Sequence, residues 1–474
     1  MNVLAIPSVE AVLEQPAVQG LLERLPREVV VQCVREAIAR LREERAAASA
    51  LAASTAENAA AVADRVAQSL QPERPPSLRR TVNATGVIIH TNLGRSPLGP
   101  AVCEAILGVA GGYCNLEVDV ASGERSKREA HVAALLARLA GAEAATVVNN
   151  NAAAVVLTLT ALAAGQRVVC SRGELVEIGG SFRLPEIIAC SGATMVEVGT
   201  TNHTRLSDYE AALTDGTAAI LKIHPSNFRV LGFTSEVPLE PLAALARRTG
   251  CILIFDVGSG LLLPAPQPVF ASEPVVRQAV ADGADVVTFS TDKLLGGPQG
   301  GGIVGRRSLI ERLSRHPLKR AVRVGKLTLA GLEATLRAHL DPAGPDTVTM
   351  RLIRRPVAEL EADAQSLADA IRRVAPAWAT SAEHDESSVG GGSLPGETIP
   401  TVVLWLEAPG LATDALDAAF RANEPPIFGR FRKGRFGLDL RTLLPTDAAD
   451  IVACTERLTR PTQSEIGNRK SAIQ

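Results

Sequence analysis

The sequence predicts an α/β protein built around a mostly parallel β-sheet, and three observations support this prediction. From residue 81 to about residue 340, short apolar runs rich in β-branched residues alternate with stretches of helical periodicity. The runs are apolar throughout, which is typical of strands buried on both faces of a parallel sheet. The chain has 474 residues and is 46% hydrophobic, so it can build more than one core.

Six apolar runs are the predicted strands of this sheet. They cover residues 146–148, 167–170, 193–198, 218–223, 251–257 and 285–290. In a parallel sheet the carboxyl ends of the strands lie along the same edge, and ligands bind there. We assign residues 76–340 to this α/β domain and expect its active site at that edge.

The two flanking regions have different patterns. Residues 1–75 are predicted to form a separate helical domain, because helical spacing runs through residues 29–53 and on to residue 70 before a proline-rich stretch. Residues 341–460 are predicted to form a small α+β domain. Its expected elements are a helix (357–374), a strand (399–406), a helix (412–423), a hairpin (427–440) and a helix (448–458). The polar tail, residues 461–474, is expected to be disordered.

Composition excludes several classes of protein. The net charge of −2 is incompatible with a uniformly basic surface, so any nucleic-acid contact must come from local patches. Seven cysteines without CxxC spacing predict reduced thiols and a cytoplasmic location. No secretory leader is recognisable and no apolar stretch is long enough for a bilayer, so no membrane association is expected. The dispersed histidines predict no metal site.

A carboxylate and an amine follow two of the predicted strands. Asp256 ends an apolar run, where it can pair with a protonated pyridine nitrogen or simply cap a turn. Lys293 follows the next predicted strand in a glycine-rich loop, where a desolvated amine can form a Schiff base with an aldehyde cofactor. Ser290 is placed to reach the cofactor phosphate. Either residue alone could be a loop residue, but together they predict pyridoxal 5′-phosphate (PLP) and the aminotransferase-like fold, fold type I.

A run of asparagines at a predicted helix start is the third feature of this site. Asn150, Asn151 and Ala152 follow a short strand and begin an apolar helix. Asparagine is a preferred N-cap, and the free amides of a helix N-terminus bind phosphate. We assign the cofactor phosphate to these residues, although ordinary helix capping without a ligand gives the same pattern.

Three segments resemble the bacterial L-seryl-tRNA(Sec) selenium transferases, also called selenocysteine synthases. They are residues 83–98 (NATGVIIHTNLGRSPL), residues 171–183 (SRGELVEIGGSFR) and the Lys293 loop. The similarity extends over nearly the whole chain. It implies a transferase of selenocysteine biosynthesis that converts seryl-tRNA(Sec) to selenocysteinyl-tRNA(Sec), with PLP on Lys293 and selenophosphate as selenium donor. An aminoacrylyl group is the implied intermediate, and Lys293 is the implied proton shuttle.

The resemblance also implies roles for residues outside the Lys293 loop. Four arginines lie where family members bind the anionic donor, although ordinary surface positions would explain them as well; they are Arg95, Arg128, Arg320 and Arg323. Near Arg128 the chain departs from the Gly-Ser-Arg-Tyr usual in the family. His90 is assigned to the substrate and Asn227 to the cofactor on the same basis.

Partners follow from the resemblance too. Family members hold tRNA with the N-terminal helical domain and assemble as homodecamers, so both are expected here. The basic run 428–436 could contact RNA, but we favour a hairpin that turns at Lys433 and Gly434. The alternatives are a PLP lyase acting on a small amino acid or amino sugar phosphate, and a catalytically decayed tRNA-binding relative.

Overall fold

The computed structural model describes residues 6–47, 55–70, 76–178 and 182–459. The chain divides into two compact units, residues 1–80 and 81–474. The predicted disordered tail, residues 461–474, lies outside the described residues, as do parts of the predicted N-terminal helix and linker. Within the described chain, no helix combines the length and apolar character needed to span a bilayer.

The first unit is helical. Its helices are α1 (Val9–Leu13), α2 (Pro16–Leu22), α3 (Arg27–Ala47) and α4 (Thr55–Ser69). Apolar side chains of all four helices, among them Val12, Leu21, Val34 and Val62, pack into one core. The helical spacing in the sequence therefore reflects a small core of its own.

The second unit holds the remaining elements. Its strands are β1 (Val82–Asn83), β2 (Ala144–Val148), β3 (Arg167–Ser171), β4 (Glu177–Ile178), β5 (Phe182–Arg183), β6 (Thr194–Val198), β7 (Thr217–Ile223), β8 (Ile252–Gly258), β9 (Val286–Ser290), β10 (Gly301–Gly305), β11 (Ala379–Ser388), β12 (Thr398–Glu407), β13 (Ile427–Phe428), β14 (Arg430–Arg432) and β15 (Arg435–Asp439). Its α-helices are α5 (Pro100–Ala110), α6 (Ala130–Ala140), α7 (Asn151–Ala163), α8 (Leu184–Cys190), α9 (Leu206–Ala212), α10 (Leu239–Thr249), α11 (Val276–Ala281), α12 (Arg307–Arg315), α13 (Leu318–Ala321), α14 (Lys326–Ala338), α15 (Val348–Arg354), α16 (Val357–Val374), α17 (Thr413–Arg421) and α18 (Asp447–Thr459).

A seven-stranded sheet confirms the predicted α/β class. Its order is β2-β10-β9-β8-β7-β3-β6, and all pairs are parallel except those made by β10, which runs antiparallel to both neighbours. Neighbouring residues such as Val168 and Val169 face opposite sides, where different helices cover them. Helices α6, α10, α11 and α14 pack on one face, and α7, α8 and α12 pack on the other. All six predicted strands belong to this sheet.

A smaller antiparallel sheet, in the order β11-β12-β15-β14, forms the C-terminal lobe. Helices α16, α17 and α18 pack against it around Leu404, Phe420 and Phe436. The hairpin of β14 and β15 turns at Lys433 and Gly434, which both have positive φ, as the alternating pattern predicted.

The segment from β1 onward connects this lobe to the main sheet. Ile88 and Ile89 donate backbone hydrogen bonds to Ser388 and Val389 of the lobe. Asp439 is fully buried, and its carboxylate accepts hydrogen bonds from Ser387 and Thr401. These contacts with the lobe hold the backbone just before the residues that follow Ile89.

Candidate active site

Lys293 lies just past the carboxyl end of β9 and is buried, with 5% of its surface exposed. Its Nζ donates a hydrogen bond of 3.2 Å to the carbonyl oxygen of Gly392. The hydroxyl of Ser96 holds the backbone of this loop, because its Oγ lies 2.8 Å from the carbonyl oxygen of Lys293. Burial and then the charge of Arg95 lower the pKa of the Lys293 amine, which favours its nucleophilic, neutral form.

Asp256 lies on β8, the strand next to β9, and is also buried. Its Oδ1 accepts two hydrogen bonds of 2.8 Å, from Asn151 Nδ2 and from Thr288 Oγ1. Burial raises the pKa of this carboxyl, while the two hydrogen bonds and the charges of Lys293 and His224 oppose the rise. Among the described residues Oδ2 has no hydrogen-bond partner, so this oxygen is available to a ligand.

Helix α7 begins at the same edge of the sheet. The side chain of Asn150 caps it, since Oδ1 accepts a hydrogen bond of 2.8 Å from the backbone amide of Ala153. The amides of Asn151 and Ala152 occupy the first turn, where no intrahelical acceptor exists. The helix start packs against β10 without a side chain between them, because a Cβ on Gly301 would lie 2.2 Å from the Asn150 carbonyl oxygen.

The first two of the four predicted donor-binding arginines contact different parts of the chain. Arg95, which has a left-handed φ of 64°, pairs with Asp292 at 2.7 Å, beside Lys293. Arg128 pairs with Glu117 at 2.5 Å and donates to the carbonyl oxygen of Val324 at 2.9 Å.

The second pair of arginines follows α12. Arg323 is 4.0 Å from the same carboxylate of Glu117. Arg320 is exposed and makes no ion pair within the described residues. Helix α13, which carries Arg320, is held by the buried Lys319, whose Nζ contacts Glu129 at 2.8 Å and the Val147 carbonyl oxygen at 2.6 Å. The arginine segment is thereby attached to the end of β2.

The other predicted site residues differ in their surroundings. Ser290 is buried at the end of β9, as a residue near the cofactor should be. His90 is partly buried, its Nδ1 has no partner among the described residues, and burial lowers its pKa. Asn227 is exposed, and its Nδ2 donates to the Glu177 carbonyl oxygen at 2.6 Å. Its assignment to the cofactor remains a prediction.

Several neighbours of the site were absent from the sequence-based prediction. Thr288 holds Asp256, and Gly392 accepts from Lys293. His224 Nε2 lies 3.5 Å from Glu273 Oε1, and both atoms are buried without a hydrogen bond in the described chain. Thr288 had a signal, because it is a polar residue between the apolar residues Val287 and Phe289 of a predicted strand. The other three come from distant loops whose proximity no local pattern shows.

These residues fit PLP. Lys293 would supply the amine for the aldehyde, Asp256 would supply an oxygen for the pyridine nitrogen, and the start of α7 would supply amides for the phosphate. Asn151 Oδ1 is also buried without a partner in the described chain, as expected of a group that faces a ligand. No cluster of metal ligands occurs among the described residues. The fold and this site define a PLP-dependent enzyme of fold type I.

Comparison with known proteins gives the family. The family model described as L-seryl-tRNA selenium transferase matches residues 81–444, and the one described as selenocysteine synthase N terminal matches residues 5–42. The chain is 46% identical to the L-seryl-tRNA(Sec) selenium transferase of Geobacter sulfurreducens, covering 96% of this chain and 98% of that protein. It is also 46% identical to that of Hyphomonas neptunium, covering 94% and 96%. The chain therefore belongs to the L-seryl-tRNA selenium transferase family.

A solved structure shares the fold. The structure of D-glucosaminate-6-phosphate ammonia-lyase superposes with a TM-score of 0.57 at 24% identity, covering 80% of this chain and 95% of that one. At this identity the similarity concerns the fold alone.

Proposed function

We propose that this chain converts L-seryl-tRNA(Sec) to L-selenocysteinyl-tRNA(Sec), with selenophosphate as the selenium donor. The observation that supports the chemistry best is the buried Lys293 amine at the same sheet edge as Asp256, in a chain that is 46% identical to a relative over 96% of its length. The alternative of a lyase for small substrates rests only on a shared fold. The helical residues 6–47 and 55–70, which such a lyase would not need, support the tRNA substrate.

The residues of the site divide the work. PLP supplies an electron sink that stabilises negative charge at the serine Cα. Asp256, with its free oxygen, holds the ring nitrogen in its protonated state. Lys293 removes the Cα proton and can return a proton to the departing hydroxyl group, because burial brings its pKa toward the working pH.

The arginines act on the donor. Selenophosphate is a small multiply charged anion, and guanidinium groups bind such oxygens in pairs. Arg95 lies beside the Lys293 loop, Arg128 and Arg323 lie near Glu117, and Arg320 lies on α13, whose Lys319 contacts β2. We assign donor binding to these four residues and substrate binding to His90.

Assembly and location complete the proposal. Large apolar side chains are exposed on the second unit and support a homo-oligomer, for which we propose the homodecamer expected of the family; they include Leu107, Tyr113, Val120, Leu231 and Phe233. All seven cysteines are free thiols, which supports a cytoplasmic location.

The test is conversion of seryl-tRNA(Sec) by the purified protein with PLP and selenophosphate, followed by analysis of the aminoacyl group. Wild-type protein should form selenocysteinyl-tRNA, and Lys293→Ala should not, although it should still bind tRNA. Deleting residues 1–80 should abolish tRNA binding and spare PLP binding. A wild-type protein that loads PLP but leaves seryl-tRNA unchanged would refute the proposed activity.

A further inference from the structure

Thr288 is a polar residue in the middle of a buried strand. All five residues of β9 are buried, and Thr288 is fully inaccessible. In the parallel pairing of β8 and β9 it lies directly beside Asp256, and its Oγ1 donates a hydrogen bond of 2.8 Å to Asp256 Oδ1. A buried hydroxyl costs stability unless it is hydrogen-bonded, and here the carboxylate of Asp256 accepts the hydrogen bond that offsets this cost.

A second donor reaches the same oxygen from another element. Asn151, the first residue of α7, donates from Nδ2 to Asp256 Oδ1, also at 2.8 Å. Two donors on one carboxylate oxygen fix the plane of the group, because a partial rotation would break both bonds and a 180° flip only exchanges two equivalent oxygens. They also leave Oδ2 as the oxygen without a partner among the described residues.

We propose that Thr288, together with Asn151, is a positioning residue that keeps Asp256 ionised and directs its Oδ2 at the pyridine nitrogen of PLP. The inference rests on the cofactor assigned in the proposed function. Burial favours the neutral acid, and hydrogen bonds to a carboxylate favour the charged form. Only the charged form can hold the ring nitrogen protonated, so loss of a donor weakens both cofactor binding and the electron sink.

Two basic residues near Asp256 also favour its ionised form. They are Lys293 and His224. The acidic Glu273 faces His224, with 3.5 Å between His224 Nε2 and Glu273 Oε1. Neither Lys293 nor His224 bonds to the Asp256 carboxylate, so the two neutral donors alone set its orientation. A variant of Thr288 therefore changes a direct contact and leaves the surrounding charges in place.

The experiment compares Thr288→Val with Thr146→Val in the full chain. Thr146 is a matched control, because it is a buried threonine of the same sheet whose hydroxyl has no partner among the described residues. Apoprotein is titrated with PLP, and the absorption spectrum of the loaded protein is followed from about pH 5.5 to 9. We expect Thr288→Val to bind PLP about tenfold more weakly, which corresponds to about 1.4 kcal/mol. The pH at which the absorption spectrum changes should also shift.

Thr288→Ser should restore both quantities, because it keeps the hydroxyl, and Thr146→Val should match the wild type. Asn151→Ala tests the same oxygen by a second route and serves if Thr288→Val fails to fold. Wild-type affinity and an unchanged spectral transition in a folded variant of either residue would overturn the inference. These readouts need no tRNA, so they separate this inference from the proposed activity, and a wild-type protein that binds no PLP would refute both.

Discussion

Replacing Lys293 with methionine should remove function and stabilise the protein without its cofactor. Methionine has a similar length and fills the same space without an amine. The lysine is buried, and Gly392 is its single hydrogen-bond partner in the described chain. A poorly satisfied buried polar group costs about 1–3 kcal/mol. The lost hydrogen bond to Gly392 is worth about 1 kcal/mol, so the net gain for the variant should be about 1 kcal/mol.

The pH dependence of this gain follows from the lowered pKa of Lys293. In the unfolded chain a lysine titrates near pH 10.4, and the folded protein releases its proton at a lower pH. Below the folded pKa, the wild-type protein therefore bears the full cost of keeping a charged amine buried. As pH rises from the folded pKa toward 10.4, that cost disappears. The stability difference between Lys293→Met and wild type should therefore be larger at pH 7 than at pH 10.

Urea unfolding of both proteins without PLP, at several pH values, measures this difference. Absorbance of the PLP-treated proteins before and after borohydride, followed by peptide mapping, measures the covalent linkage. The wild type should carry the reduced adduct on Lys293, and the variant should carry none. A variant that is less stable than the wild type at pH 7, or a difference that stays constant up to pH 10, would refute the argument from burial.

Three further predictions concern neighbouring residues. Asp256→Asn should weaken PLP binding about 10- to 100-fold in an apoprotein titration, because an amide cannot form the charge-assisted pair worth about 1.5–3 kcal/mol; wild-type affinity would contradict the pairing. Arg320→Ala should raise the KM for selenophosphate at least tenfold and leave the free energy of unfolding in urea unchanged. Arg128→Lys should raise this KM and also lower the free energy of unfolding by about 1 kcal/mol, because lysine cannot reproduce the contacts of Arg128 with Glu117 and Val324. Equal effects of these two variants on stability would contradict the distinction. Gly391→Ala should destabilise by more than about 2 kcal/mol in urea, since its φ is 63° and a Cβ would lie 2.3 Å from the Ile89 carbonyl oxygen; a neutral result would show that the loop can move.

The parallel strands and the central site could be predicted because their signals are local. Buried strands are continuous apolar runs, and the residues that follow them meet at one edge, which placed Asp256 and Lys293 together. Two strands of the two larger sheets gave no such signal. Strand β10 requires glycine, since a Cβ on Gly302 would lie 2.4 Å from the ring of Phe289. In the sequence these glycines were interpreted as part of a loop. Strand β11 is polar and largely exposed, so no apolar pattern marks it.

The surroundings of the four arginines assigned to the donor were predictable only in part. The resemblance gave the four arginines, but the roles that their neighbours play depend on pairings between distant segments. Glu117 shows this, because its carboxylate contacts Arg128 and lies near Arg323, which is more than 200 residues further along the sequence. A hydrogen bond from Arg128 lowers the pKa of Glu117, so the contact is between charged groups. Such contacts require the fold and cannot be obtained from spacing.

The hydrogen bond between Lys293 and Gly392 can form only late in the synthesis of the chain. These residues are 99 positions apart, and the acceptor follows the first strand of the C-terminal lobe. A ribosome exposes the lysine and all seven strands of the main sheet before it has made the loop that covers the amine. Until residue 392 has been made, the growing chain lacks the acceptor of the Lys293 amine. A chain that ends before residue 392 lacks the carbonyl oxygen that accepts this hydrogen bond, so we expect the Lys293 amine to be more exposed in it.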